Sequence, residues 1–144
     1  MAQRRRTPLV KPAAQPSILL VEGESPIARL VQHILGEKVH LSHVSTSHEA
    51  TVAVEQCTFD LMLIDIWLET DTAGIDLLHH ARTCERSANT DTHAVAFTAC
   101  AWPGDKERLL AEGFDSYFAK PFLAEDLVSL VAASLPAHCS LEAP

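Results

Sequence analysis

The chain has 144 residues, 47% of them hydrophobic and 21% charged, with a formal charge of −8; that length suits one domain able to bury about two thirds of its unfolded surface. No apolar run approaches the about 18 residues of a membrane span, and the leader lacks the apolar core of a secretory signal, so a cytoplasmic protein without membrane contact is expected. The leader, residues 1–16, holds Arg4, Arg5, Arg6 and Lys11 and no acid, leaving 7 basic against 19 acidic residues beyond it, a balance that argues against nucleic-acid binding.

The leader reads as a disordered basic tail. Cys57, Cys84, Cys100 and Cys139 have no C-x-x-C spacing and are expected as free thiols, with Cys57 in the core. His79, His80 and Cys84 suggest a metal cluster. Adjacent histidines, however, point about 100° apart on a helix, and no second Cys/His pair completes a site, so none is expected there.

In chain order, Ser17-Ile18-Leu19-Leu20-Val21 is a short buried strand, followed by the acidic Glu22-Gly23-Glu24. Ser25 as N-cap with Pro26 at the first helical position opens a helix. Ile27, Leu30, Val31 and Ile34 form its apolar face, and Gly36 is its C-cap. Val39 to Val44 alternates as a half-buried strand does. Thr46 and Glu49 form a capping box for a helix that turns Ala50, Ala53, Val54 and Cys57 inward.

Phe59-Asp60-Leu61-Met62-Leu63-Ile64-Asp65 places four consecutive apolar residues before an acid, the pattern of a fully covered strand. Asp65 either caps that strand toward water or marks a site at its carboxyl end. A loop from Trp67 to Ala73 leads to a helix from Gly74 to about Arg82. Ser87 to Thr92 is a polar connection, and Ala94 to Phe97 is a strand ending in Thr98. Pro103 to Glu112 is a helix with Leu109 and Leu110 inward and Gly113 as C-cap. Ser116 to Ala119 is the fifth strand, ending in Lys120-Pro121. Ala124 to Ser134 is the last helix, with Leu127, Leu130 and Val131 on its buried stripe.

Five strands alternating with five helices predict an α/β fold: a doubly wound, five-stranded parallel sheet, flavodoxin-like, in the order 2-1-3-4-5, over residues 17–135, with residues 136–144 a short C-terminal tail. All strands then run the same way, so Glu22, Glu24, Asp65, Thr98 and Lys120 collect along one edge, where such folds bind ligands. Clustered carboxylates call for a cation, and hard oxygen ligands suit Mg²⁺ completed by phosphate oxygens. An ammonium and a hydroxyl suit a phosphoryl group, and a carboxylate among them can act as a nucleophile. No Gly-rich or Ser/Thr-rich phosphate loop follows the first strand, which argues against a flavin binder.

These residues, in this order and at these separations, resemble the receiver domain of two-component response regulators. The resemblance rests on Ile18 to Glu22, Phe59 to Asp65, Gly74-Ile75-Asp76-Leu77, Ala96-Phe97-Thr98-Ala99 and Tyr117-Phe118-Ala119-Lys120-Pro121-Phe122. It implies that Asp65 accepts a phosphoryl group from a histidine kinase or phosphotransfer protein. Lys120 then holds a phosphoryl oxygen, Thr98 is the switch hydroxyl, Tyr117 is the aromatic that rotates with it, and Lys120-Pro121 is a cis peptide. The implied Mg²⁺ ligands are Glu22, Asp65 and the backbone carbonyl of Trp67, with Glu24 a further candidate.

Two positions depart from the family pattern. Gly23 stands where a second acid supplies a direct metal ligand, so Mg²⁺ binding is expected to be weakened; glycine here could also permit backbone angles closed to aspartate. The loop after Asp65 lacks a proline, and Glu69 adds charge to an acidic site. Two functions follow: a stand-alone receiver phosphorylated on Asp65, or a pseudo-receiver that serves as a docking module without phosphate. Either acts by protein–protein binding through the face of the fourth helix, fifth strand and fifth helix, as a monomer or weak homodimer. No enzymatic output is expected beyond self-catalysed phosphoryl transfer and hydrolysis at Asp65.

Overall fold

The computed structural model describes residues 15–99 and 102–141. Most of the expected N-terminal tail, the last three residues and Cys100 therefore lie outside the described residues. The elements are β1 (Ser17–Val21), α1 (Ser25–Leu35), β2 (His40–Val44), α2 (Ser47–Gln56), β3 (Leu61–Ile64), α3 (Ala73–Thr83), β4 (His93–Thr98), α4 (Asp105–Glu112), β5 (Ser116–Ala119) and α5 (Ala124–Ser134). All strand pairs are parallel and the order is β2-β1-β3-β4-β5, as the alternation of strand and helix predicts.

Strand alternation divides the core into two layers. Leu19, Val21, Met62, Ile64, Ala94 and Ala96 face Ala50, Val54, Leu78, Ala81 and Leu109 of α2, α3 and α4. On the opposite side Ile18, Leu20, Leu61, Leu63, Val95 and Phe97 meet Ala28, Val31 and Leu35 of α1 and Leu127 and Val131 of α5. β1, β3 and β4 are covered on both faces, which is why their sequences run apolar without alternation. Among the described residues, no helix is long and apolar enough to cross a membrane.

Several local expectations are corrected. Glu24, with extended backbone (φ −101°, ψ 114°), is the N-cap of α1 in place of Ser25. The buried face of α1 is Ala28, Val31 and Leu35, and Leu30 is exposed. Cys57 is exposed as well, because it caps the end of α2 in an extended conformation and leaves the helical face. Helix α4 starts at Asp105, since Gly104 adopts φ 88° and breaks the helical path from Pro103. Only Leu109 then reaches the sheet, and Leu110 points outward. The Thr46 cap holds: its Oγ1 accepts from Glu49 N–H, while the Glu49 carboxylate accepts from Ser45 N–H, one residue beyond a reciprocal box. Cys57, Cys84 and Cys139 are free thiols.

Candidate functional site

The strand ladders continue one residue past the ends of β1, β3 and β5, and these continuations fix the site. Glu22 N–H donates to Val44 O at 3.0 Å, Asp65 N–H to Val21 O at 2.9 Å and Lys120 N–H to Thr98 O at 3.0 Å. Two carboxylates and an ammonium thus leave one sheet edge from rigid backbone. Lys120 Nζ donates to Glu22 Oε1 at 2.7 Å and to Asp65 Oδ2 at 3.2 Å. It also lies 4.9 Å from the centre of the Phe97 ring, an additional hold on the cation. All three charged groups are buried. The Lys120-Pro121 peptide is cis.

A cleft of about 420 Å³ opens over this cluster, lined by Glu24, Asp65, Trp67, Thr98, Ala99, Trp102 and Lys120. Thr98 is buried at the end of β4. Tyr117, opposite Ala96 on β5, is half-buried against the α2–α3–α4 layer. Glu24 donates its backbone N–H to Glu22 Oε2 at 3.0 Å, makes no side-chain cap bond and lines the cleft. Glu69 is a correction: it turns away to α2, where it accepts from Ser47 N–H at 3.0 Å and Ser47 Oγ at 2.8 Å. The Ser47 hydroxyl and N–H hold the Glu69 carboxyl below its ordinary range. It does not line the cleft over Asp65.

Burial pushes the Asp65 carboxyl up to about 6; Lys120 opposes the rise and Glu22 adds to it. Among the described residues, each oxygen of Glu22 and Asp65 has a donor: Lys120, Glu24 N–H or Trp67 N–H. A carboxylate oxygen has a second acceptor direction, so the set retains capacity for a cation. Its chemistry is that of hard oxygen donors, which fits Mg²⁺ with one carboxylate fewer than three adjacent acids would supply. Gly23 does not adopt a left-handed conformation, which corrects the expectation of special backbone angles there. A Cβ at Gly23 would meet Ser45 O at 3.7 Å and a Leu68 methyl at 3.9 Å, ordinary contacts.

Gly74 has a role that the sequence did not reveal. A Cβ there would lie 2.2 Å from Asp65 O and 2.7 Å from Ile66 Cα, so the start of α3 rests directly on the loop that begins at Asp65. Gly74 N–H donates to Ile66 O at 3.0 Å across the same contact. A glycine at the mouth of a predicted helix is the faint signal of such close approach. Asn89, fully buried, was equally silent in its polar stretch: its Nδ2 donates to Val54 O and Cys57 O at 2.9 and 2.7 Å, and its Oδ1 accepts from Phe59 N–H at 2.9 Å.

The sequence profile of the response regulator receiver domain matches residues 18–132, which include every residue of this edge. The chain belongs to the response regulator receiver family. Over 124 residues this receiver is 31% identical to the signal transduction histidine-protein kinase BarA of Escherichia coli (strain K12), covering 83% of the chain and 13% of BarA. It is 30% identical over 117 residues to the phosphate regulon transcriptional regulatory protein PhoB of the same organism, covering 81% of the chain and 50% of PhoB. The receiver thus spans half or less of these two curated relatives. Among solved structures, the receiver domain of sensor histidine kinase PA1611 from Pseudomonas aeruginosa PAO1 carries a magnesium ion in its active-site cleft. It aligns with a TM-score of 0.70 at 27% identity, covering 84% of this chain and 98% of that one. Receivers are signalling modules that interact with histidine kinases or phosphotransfer proteins.

Proposed function

We propose that this receiver, a cytoplasmic module over residues 17–135, accepts a phosphoryl group on Asp65 from a histidine kinase or phosphotransfer protein. One observation carries the proposal: Asp65, Lys120 and Thr98 border a single cleft, with Lys120 Nζ within 3.2 Å of the carboxylate. A pure scaffold has no need of a nucleophile, a cation and a hydroxyl at one strand edge.

In the transfer, an Asp65 oxygen attacks phosphorus, the phosphorus–nitrogen bond to the donor imidazole breaks, and that nitrogen leaves with the electron pair. Lys120 exchanges its contact with Asp65 for one with a phosphoryl oxygen while Glu22 keeps it in place. Asp65, Glu22 and the Trp67 carbonyl, with Glu24 at the rim, would hold Mg²⁺, which would supply positive charge to offset that of the transferred group. Thr98 donates its hydroxyl to the acyl phosphate and Tyr117 repacks beside it. The change is read by another protein at the face of α4, β5 and α5, the receiver being a monomer or weak homodimer. Hydrolysis of the acyl phosphate, catalysed by the same cleft, resets it.

The only tryptophans of the chain, Trp67 and Trp102, both line the cleft, so intrinsic fluorescence reports its occupancy. Mg²⁺ with beryllofluoride or acetyl phosphate is expected to change the emission, and Asp65→Asn to abolish the response; Trp102→Phe separates the two indoles. No response at millimolar Mg²⁺, with no acyl phosphate after incubation with a phosphorylated kinase, would refute the proposal.

Gly23 supports a second function, phosphate-independent docking. Lys120 already bridges both buried acids, so part of their negative charge is neutralised without metal. Restoring the carboxylate decides how much this matters. Gly23→Asp has room and is expected to tighten Mg²⁺ binding by roughly 10-fold or more, measured by fluorescence titration. Unchanged affinity would favour the docking module.

A further inference from the structure

About the far ends of α2 and α3 a second cluster forms, independent of the acceptor cleft. His79 turns to Glu112, but His80 and Cys84, one helical turn apart, converge with Glu55 of α2, and the donor atoms of these three lie within 4.8 Å of one another. The sequence suggested His80 and Cys84 and sought a second Cys/His pair; the missing partner is a glutamate from a neighbouring helix. We infer that Glu55, His80 and Cys84 form a binding site for a borderline-soft divalent cation of the Zn²⁺ type.

The ligand chemistry is mixed imidazole, thiol and carboxylate, which selects Zn²⁺ over Mg²⁺. Tetrahedral Zn²⁺, with bonds of about 2.0–2.3 Å, spaces its ligand atoms roughly 3.3–3.8 Å apart. Cys84 Sγ and Glu55 Oε2 stand 3.9 Å apart. His80 Nε2 and Glu55 Oε2 are 2.6 Å apart, a separation that a small rotation of the Glu55 carboxylate opens. Water fills the fourth position, as it does in three-ligand zinc sites.

The scaffold is preorganised. Cys84 N–H donates to His80 O at 2.9 Å, fixing the turn that carries both ligands. Asn89 ties the loop after α3 to Val54 O and Cys57 O, on either side of Glu55 in sequence. Glu55 is therefore clamped against the segment that bears Cys84. The His80 and Glu55 side chains remain 30% and 20% exposed, so an ion can enter from solvent.

Without metal, a cation already occupies the site's electrostatic role. Arg86 Nε and Nη2 hold the two Glu55 oxygens at 3.0 and 3.2 Å, and its side chain is 72% exposed. Oε2 of Glu55 thus receives His80, Arg86 and Cys84 together. Arg86 is a displaceable counter-ion that the metal replaces, while binding releases the Cys84 thiol proton.

A second mixed cluster, Asp60, His138 and Cys139, is the internal control. Full-length protein carrying Asp65→Asn, which removes the acceptor carboxylate, is titrated with Co²⁺ and then with competing Zn²⁺. A thiolate-to-cobalt charge-transfer band at one equivalent is expected. Cys84→Ser should abolish the band and weaken Zn²⁺ by at least about 10-fold, Arg86→Ala should tighten it several-fold, and Cys139→Ser should leave both unchanged. A band that survives Cys84→Ser or disappears with Cys139→Ser overturns the site, as does the absence of stoichiometric binding at micromolar metal. Circular dichroism confirms that each variant is folded.

Discussion

Replacing Gly74 with alanine is expected to destabilise the domain by about 3 kcal/mol or more and to abolish beryllofluoride binding at Asp65. The added methyl carbon would sit 2.2 Å from the Asp65 carbonyl oxygen and 2.7 Å from Ile66 Cα, against backbone that no side-chain rotation can move. Either α3 or the acceptor loop must shift. The loop is the element that aims Asp65, so stability and function fall together. Gly104→Ala is the control: Gly104 has left-handed backbone (φ 88°, ψ −7°) but nothing within 4 Å of a Cβ, so alanine there costs only about 1–2 kcal/mol. Urea midpoints separate the two effects. Equal losses would mean that close packing at Gly74 is unimportant.

Asp65→Asn is expected to stabilise the fold at neutral pH, by up to about 3 kcal/mol at about pH 7.5, and by only about 1 kcal/mol near pH 4.5. Burial lifts the Asp65 carboxyl from 3.8 to about 6 in the folded protein. The folded state therefore binds its proton more tightly than the unfolded chain does. Between those two values, folding loses stability as pH rises; above about 6 the full cost of the buried anion is present, and below about 4 it vanishes. Asparagine resembles the protonated acid at every pH and escapes that cost. Paired unfolding curves across pH test this, and a constant difference would exclude burial of the charge as its origin. On the proposed function the same titration governs phosphorylation, since only the ionised carboxylate attacks phosphorus. Phosphorylation by a small-molecule donor should rise with pH through about 6 and then level off.

How far the sequence disclosed this molecule depended on the range of the interaction. Elements came from local signals: apolar runs for β1, β3 and β4, Thr46 and Gly113 as caps, helical spacing for α5. The strand edge then placed Glu22, Asp65, Thr98 and Lys120 together, because parallel strands leave their last residues side by side. Contacts between chain-distant groups had no such signal. Gly74 looked like an ordinary helix start, Asn89 like a solvated loop residue, and Glu69 like one more acid of the cleft. Glu55 meeting His80 and Cys84 depends on how α2 packs on α3, which spacing within one helix does not encode. Leu109 and Leu110 are neighbours in sequence, and only the late start of α4 at Asp105 settles which of them faces the sheet.

Gly23 carries a consequence at the level of heredity. Every glycine codon becomes one for aspartate or glutamate by a single change at its second base. Because the backbone at Gly23 has no positive φ and a Cβ there makes only ordinary contacts, an acid can be placed there without disturbing the fold. On the proposed function, the metal dependence of the cleft is therefore adjustable in one mutational step, in either direction, while Asp65, Thr98 and Lys120 stay as they are.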